Sequence, residues 1–186
     1  GYTPVFVDVD LESFCINSEK IYKKITKKTK LIVAINTYGN ICNFDEIIKI
    51  GKKNNILVLE DAAESLGSTM NNKQSGIFGD FSTFSFQATK TITTGEGGMV
   101  ATKLSTEIYN KMKLYRNHGV SKEKYYHLLP GNNFRLTNLQ AAIGYSQLKR
   151  INAIKKRRME IFLLYSNIFS KNKDIQLQKF NKNINP

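Results

Sequence analysis

Short apolar runs recur through the first half of the chain, and between them apolar residues fall at helical spacing. Residues 5–9 (Val-Phe-Val-Asp-Val), 31–35 (Leu-Ile-Val-Ala-Ile) and 56–59 (Ile-Leu-Val-Leu) predict strands. Residues 18–25, with Ser18 as N-cap, and 45–53, with Asn43 as cap and Asp45 and Glu46 in the first turn, predict helices. Apolar strands alternating with amphipathic helices imply a parallel sheet covered on both faces. After a polar connection over 68–80, residues 81–86 alternate aromatic and hydroxyl side chains as a half-buried strand would; 98–102 predicts another strand and 106–115 a helix.

The pattern then changes. A loop around 129–133 precedes a long helical stretch from Asn138, breaking near Asn152, with Leu139, Ala142, Ile143, Leu148 and Ile151 expected on its buried side. Beyond Lys171 the chain is polar, rich in Lys and Asn, and carries little readable signal. The expected class is α/β, a three-layer α/β/α arrangement around a mostly parallel sheet with long C-terminal helices. The division is expected at 1–150 and 151–186.

The 186 residues suit one domain with added helices. No apolar run approaches the roughly 20 residues of a membrane span, and the first residues lack a signal-peptide pattern, so a cytoplasmic location without membrane contact is expected. Cys15 and Cys42 lie far apart in sequence without CxxC spacing and read as ordinary thiols, and no metal site is indicated. The net charge of +13 is scattered and accompanies no nucleic-acid motif, so no nucleic-acid partner is expected. The densest basic cluster, at 155–158, reads as a solvated helix face.

The chemistry concentrates in Ser85-Phe-Gln-Ala-Thr-Lys90, which leads into a loop holding Gly95, Gly97 and Gly98. Lys90 thus stands near a strand end, where α/β proteins bind ligands. The strand at 56–59 likewise delivers Glu60 and Asp61. Taken alone, a carboxylate and a lysine from neighbouring strand ends equally make an ion pair. Asp61, however, is followed by the small Ala62 and Ala63, leaving room for a flat ligand, and Ser85 lies in a hydroxyl-rich stretch suited to a phosphate. Together these are the parts that pyridoxal phosphate needs: a lysine for its aldehyde, a carboxylate for its ring nitrogen and donors for its phosphate.

Five stretches occur in order: 60–67 (EDAAESLG), 79–86 (GDFSTFSF), 89–98 (TKTITTGEGG), 116–119 (RNHG) and 133–144 (NFRLTNLQAAIG). In this order they resemble the DegT-type sugar aminotransferases over roughly residues 1–165, with wording most similar to perosamine synthases. The resemblance implies the large-domain fold of pyridoxal-phosphate-dependent transferases, with 1–150 as the cofactor-binding part and 151–186 as the helical connection and the start of a smaller domain. It implies Lys90 as the lysine bonded to the cofactor, Asp61 on the ring nitrogen, Ser85 on the phosphate and Ala63 against the ring. Glu64 and Gln87 would lie beside cofactor or substrate, and Asn133 would reach the phosphate of the partner subunit in a homodimer. The place of Asn132 usually holds an aromatic in the family.

The implied reaction moves an amino group from L-glutamate to a nucleotide-linked keto-deoxysugar. Two alternatives stand beside it: a noncatalytic remnant that binds or dimerises, and a deoxysugar dehydratase on the same fold, whose members carry His where Lys90 stands. Tyr38 lines the site or simply makes a turn; Arg116 and His118 bind an anionic substrate or cap a helix. The chain lacks the family's upstream helical region and most of its smaller domain, and is expected to be the central part of a longer enzyme.

Overall fold

The computed structural model describes residues 1–123 and 125–186. Its elements are α1 (Ser18–Ile21), β1 (Leu31–Ile35), a 3-10 turn (Thr37–Gly39), α2 (Phe44–Asn54), β2 (Leu57–Asp61), β3 (Thr69–Met70), β4 (Lys73–Gln74), β5 (Phe81–Ser85), β6 (Gly98–Thr102), α3 (Thr106–Arg116), α4 (Asn138–Leu148), α5 (Ile151–Phe169) and β7 (Ile184–Asn185). The main sheet has the order β1-β2-β5-β6; its first two pairings are parallel and β5–β6 is antiparallel. The mostly parallel α/β expectation holds.

Asn43 caps α2 by accepting from the Glu46 N–H. Phe44, Ile47 and Ile50 of this helix are fully buried, in one core with Ile32 and Ala34 of β1 and Val58 of β2. Because side chains alternate along a strand, Leu31, Val33, Ile35 and Leu57 point to the other face, where each is 43–49% exposed. Within this chain α2 covers the first face, and α4 and α5 engage the loops that follow the strands.

Several local expectations are corrected. Residues 5–9 form no strand; Val9 makes one antiparallel bridge to Ile16 because the chain turns at once at Asp10, whose Oδ1 accepts from the N–H groups of Glu12 and Ser13 and from the Ser13 hydroxyl. Helix α1 ends at Ile21 rather than residue 25, since Ile21 is its buried anchor and a turn at Thr26–Thr29 redirects the chain into β1. Its N-cap is Asn17, not Ser18. The polar connection holds β3 and β4, joined by β7 into a second small sheet. Cys15 and Cys42, distant in sequence, are both buried. Their thiols meet, and this hydrogen bond together with burial holds Cys42 well above the ordinary thiol value.

The break between the long helices comes at Lys149–Arg150 rather than Asn152. The expected buried side of α4 is also wrong: Leu139 is 80% exposed, and Ala142, Ile143 and Leu148 are exposed as well, while Ile151 is half-buried. The half-buried positions are Gln140, Gly144 and Gln147, because α4 packs on a polar loop instead of an apolar core. A Cβ at Gly144 would meet Thr94 Cγ2 at 2.8 Å, so glycine permits the close approach. The tail is not without signal in space, since Ile184 joins the core and Gln178 Nε2 donates to the carbonyls of Ser13 and Thr37. No helix among the described residues is long and apolar enough to cross a membrane.

Candidate active site

Adjacent carboxylates at the end of β2 have opposite roles. Glu60 points to the α2 side and is fully buried. Its Oε1 accepts from Asn36 Nδ2 at 2.8 Å, the Ser75 hydroxyl at 3.2 Å and the Gly76 N–H at 2.7 Å, and its Oε2 accepts from the Phe78 N–H at 2.8 Å. This set compensates a buried carboxylate and fastens the 75–78 loop to the sheet. Glu60 is thereby a structural residue, and the site is left to Asp61.

Asp61 lies opposite Thr83 in the β2–β5 register, and Ser85 follows two residues on, so the three side chains share one face at the strand ends. Asp61 Oδ1 accepts from the Thr83 hydroxyl and from the Ala63 N–H, each at 3.1 Å. These bonds fix the carboxylate. Its Oδ2 receives no hydrogen bond among the described residues. The Ser85 hydroxyl accepts from the Gln87 N–H at 3.3 Å and has no acceptor for its own hydrogen among the described residues.

The turn carrying Lys90 is built by Gln87. Its Oε1 accepts from the Thr89 N–H at 2.8 Å and the Thr89 hydroxyl at 2.7 Å, while its carbonyl accepts from the Lys90 N–H at 3.0 Å. The Gln87 side chain is thus engaged in shaping the turn. The following loop returns through Gly97, at φ +151, where a Cβ would meet Thr94 Oγ1 at 2.6 Å. Two glutamines of α4 hold this loop: Gln147 accepts from the Thr93 N–H at 3.1 Å and donates to the Thr93 carbonyl at 2.8 Å, and Gln140 donates to the Glu96 carbonyl at 3.0 Å.

Lys90 Nζ lies 3.2 Å from Glu64 Oε1, and Glu64 Oε2 accepts from the Tyr38 N–H at 3.1 Å. Tyr38 has φ +51, a left-handed conformation for a residue with a side chain. Lys90, Glu64, Ala63 and Tyr38 line a cleft of about 420 Å³, a volume suited to a small ligand. Its remaining walls include Lys155, Arg158, Met159 and Phe162 of α5, with Phe180 edge-on to Phe162 at 5.5 Å between ring centroids.

The structure thus brings Lys90, Glu64, Ala63 and Tyr38 together, with Asp61, Ser85 and Gln87 at the adjoining strand ends and turn. Asn133 lies elsewhere, exposed and bridged to Asn117. Arg116 ends α3, and His118, at φ +56, accepts from His127 Nδ1 through its carbonyl; neither lines the cleft. The wall from α5 was missed. Its signal was the spacing of Lys155, Arg158 and Phe162, which places all three on one helix face, whereas Lys156 and Arg157 point to solvent and Arg157 pairs with Glu160 at 3.0 Å.

A family profile described as the DegT/DnrJ/EryC1/StrS aminotransferase family matches residues 1–185. The chain belongs to this family. GDP-perosamine synthase of Escherichia coli O157:H7 is 41% identical over 99% of this chain and 50% of its own length. The solved structure of Helicobacter pylori PseC, an aminotransferase involved in the biosynthesis of pseudoaminic acid, superposes with a TM-score of 0.87 at 38% identity, covering 92% of this chain and 47% of that one. A GDP-4-keto-6-deoxy-D-mannose 3-dehydratase of Yersinia pseudotuberculosis is 34% identical over 96% of this chain and 50% of its own. The chain spans about half the length of these DegT-family relatives. Its α/β sheet superposes on that of the PseC structure.

Proposed function

We propose that the chain is the pyridoxal-phosphate-binding part of an aminotransferase that transfers the amino group of L-glutamate to a nucleotide-linked keto-deoxysugar, for cell-surface polysaccharide or related glycan synthesis. The observation that carries this reading is the Lys90 amine, held by Glu64 at the cleft while Asp61 and Ser85 stand at the neighbouring strand ends. The residues suit the cofactor. Asp61 keeps Oδ2 open while Oδ1 is fixed, Ser85 keeps a hydroxyl hydrogen to donate, and Ala63 beside them is small.

Bound pyridoxal phosphate supplies an aldehyde that an amine can join and a ring that accepts electrons. Asp61 Oδ2 would take the hydrogen bond of a protonated ring nitrogen, Ser85 would donate to the phosphate, Ala63 would pack beside the ring, and Glu64 and Gln87 would border it. Lys90 Nζ removes the α-proton of the amino donor and delivers a proton to the sugar carbon. Glu64 keeps that amine at the cleft between transfers. The presence of Lys90 favours transamination over the dehydratase reading. Residues 1–150 serve as the cofactor domain and 151–186 as the helical connection to a smaller one, within a cytoplasmic homodimer whose Asn133 reaches the partner's phosphate site.

Titration with pyridoxal phosphate followed by borohydride reduction and peptide mapping tests this. The expected result is an absorption band that reduction abolishes, with the label on the peptide holding Lys90. No band in the folded chain, or an equal label in a folded Lys90→Ala variant, would overturn it; the former outcome favours a noncatalytic binding module.

A further inference from the structure

Helix α5 brings two cations to the cleft that the proposed chemistry leaves unused. The Lys155 ammonium donates to the Gly67 carbonyl, and Arg158 Nη2 donates to the Lys90 carbonyl at 3.2 Å. Both side chains are thereby drawn over the cleft, although helix positions so rich in charge commonly extend into solvent. Among the described residues neither has a carboxylate within ion-pair distance. The carboxylate on the lining, Glu64, is already divided between Lys90 Nζ and the Tyr38 N–H. Among the described residues, three cationic side chains therefore line the cleft with one side-chain carboxylate between them. A guanidinium presents five N–H donors, and the Lys90 carbonyl occupies one. On the same helix Met159 and Phe162 supply an apolar wall.

We propose that Lys155 and Arg158 form an oxyanion subsite beside Lys90. It holds either a phosphate of the nucleotide-linked sugar or a carboxylate of the amino donor, with the non-polar part of the ligand against Met159 and Phe162. The fork geometry of Arg158 grips two oxygens of one oxyanion, and Lys155 adds a point charge from one helical turn away. The subsite rests on the aminotransferase reading for the identity of its ligand but not for its charge.

The test is calorimetric titration of the folded chain with pyrophosphate and, separately, with glutarate, each with and without saturating pyridoxal phosphate. One probe is expected to bind and to keep its affinity when the cofactor is added. Arg158→Gln and Lys155→Gln should each weaken that probe about tenfold, as loss of a charge-assisted contact predicts. Loss of pyrophosphate binding identifies a phosphate ligand; loss of glutarate binding identifies a carboxylate. Should a neutral variant fail to fold by circular dichroism, Arg158→Lys, which keeps the charge and loses the fork, is expected to weaken the probe about threefold. The inference is overturned if neither probe binds, if the substitutions leave affinity unchanged, or if pyridoxal phosphate displaces the probe. Anion affinity is read independently of borohydride labelling, so failure here and failure of the Lys90 assignment are separate results.

Discussion

Lys90 and Tyr38 are joined through one carboxylate. Glu64 receives the lysine amine on Oε1 at 3.2 Å and the tyrosine backbone N–H on Oε2 at 3.1 Å. The end of β1 and the turn after β5 are thereby fixed to the turn after β2. A lysine that shuttles protons needs a defined resting position, and here that position is set by a side chain whose other oxygen steadies a left-handed residue.

Glu64→Ala and Glu64→Gln should separate these two duties. Glutamine retains an acceptor for the Tyr38 N–H, while alanine removes it. The side chains of Lys90 and Glu64 are 22% and 32% exposed, so solvent screens the ion pair and its loss is expected to cost under about 1 kcal/mol. Hydrogen exchange at the Tyr38 amide should accelerate about tenfold in the alanine variant, the factor that a lost bond to a charged acceptor implies. Little change is expected in the glutamine variant. Equal acceleration in both would show that the charge, not the acceptor, orders the turn.

Glu60 behaves differently because it is buried and accepts four hydrogen bonds. Glu60→Ala leaves the Gly76 and Phe78 N–H groups without their acceptor and the Asn36 amide with the Ser75 hydroxyl alone, and should destabilise the fold by on the order of 3–5 kcal/mol. Denaturant unfolding measures this directly. Glu60→Gln keeps the shape but turns a donor toward donors, so it too should destabilise.

The contrast shows where the sequence is legible. The runs at 31–35 and 81–86, the α2 cap at Asn43 and the place of Lys90 near a strand end are all readable, because alternation, capping and local spacing are short-range properties. The division of labour between Glu60 and Asp61 depends on which face α2 covers, and a one-residue difference reverses it. The α5 wall and the tail depend on contacts such as Phe162 with Phe180, between segments whose own composition is ordinary. The inward side of α4 eluded the apolar pattern for a related reason: it meets backbone, and glutamine serves there better than leucine.

Gln147→Ala should expose that last point. Its side chain makes two bonds to the Thr93 backbone, in both directions, on the loop that follows Lys90. Their loss should cost about 1–3 kcal/mol, lowering the melting temperature by roughly 2–10 °C for a chain of this size. The same substitution at the exposed Ser146 should leave the melting temperature nearly unchanged.

The Asp10 turn carries a pH signature. The Ser13 N–H, followed by the Ser13 hydroxyl, holds the Asp10 carboxyl below the ordinary carboxylate range. A depressed value in the folded state means that the stabilisation is fully present above the unfolded value near ~3.9 and is lost as pH falls through the lower folded value. NMR titration should therefore find Asp10 titrating below an unperturbed aspartate. Ser13→Ala, which keeps the N–H and removes the hydroxyl, should move it part of the way back. An Asp10 that titrates at the ordinary value would show that the turn is not held by these bonds.

Asp61→Asn isolates charge from geometry at the proposed cofactor site. The asparagine Oδ1 can still accept from Thr83 and Ala63, so the strand ends should stay in place and stability should change by less than about 1 kcal/mol. What is lost is the negative charge that would face a protonated ring nitrogen. An adjacent opposite charge shifts a titration by about one to three pKa units, so transamination by a full-length protein carrying this segment should fall roughly 10- to 1000-fold. Cofactor binding should weaken less than turnover, because the Ser85 hydroxyl and the Lys90 amine remain. Steady-state rates with glutamate and a nucleotide keto-sugar, read beside the absorption spectrum of the bound cofactor, provide the measurement. Full activity in Asp61→Asn would remove Asp61 from the role proposed for it, whereas lost activity together with a lowered melting temperature would point to the Thr83 and Ala63 bonds instead.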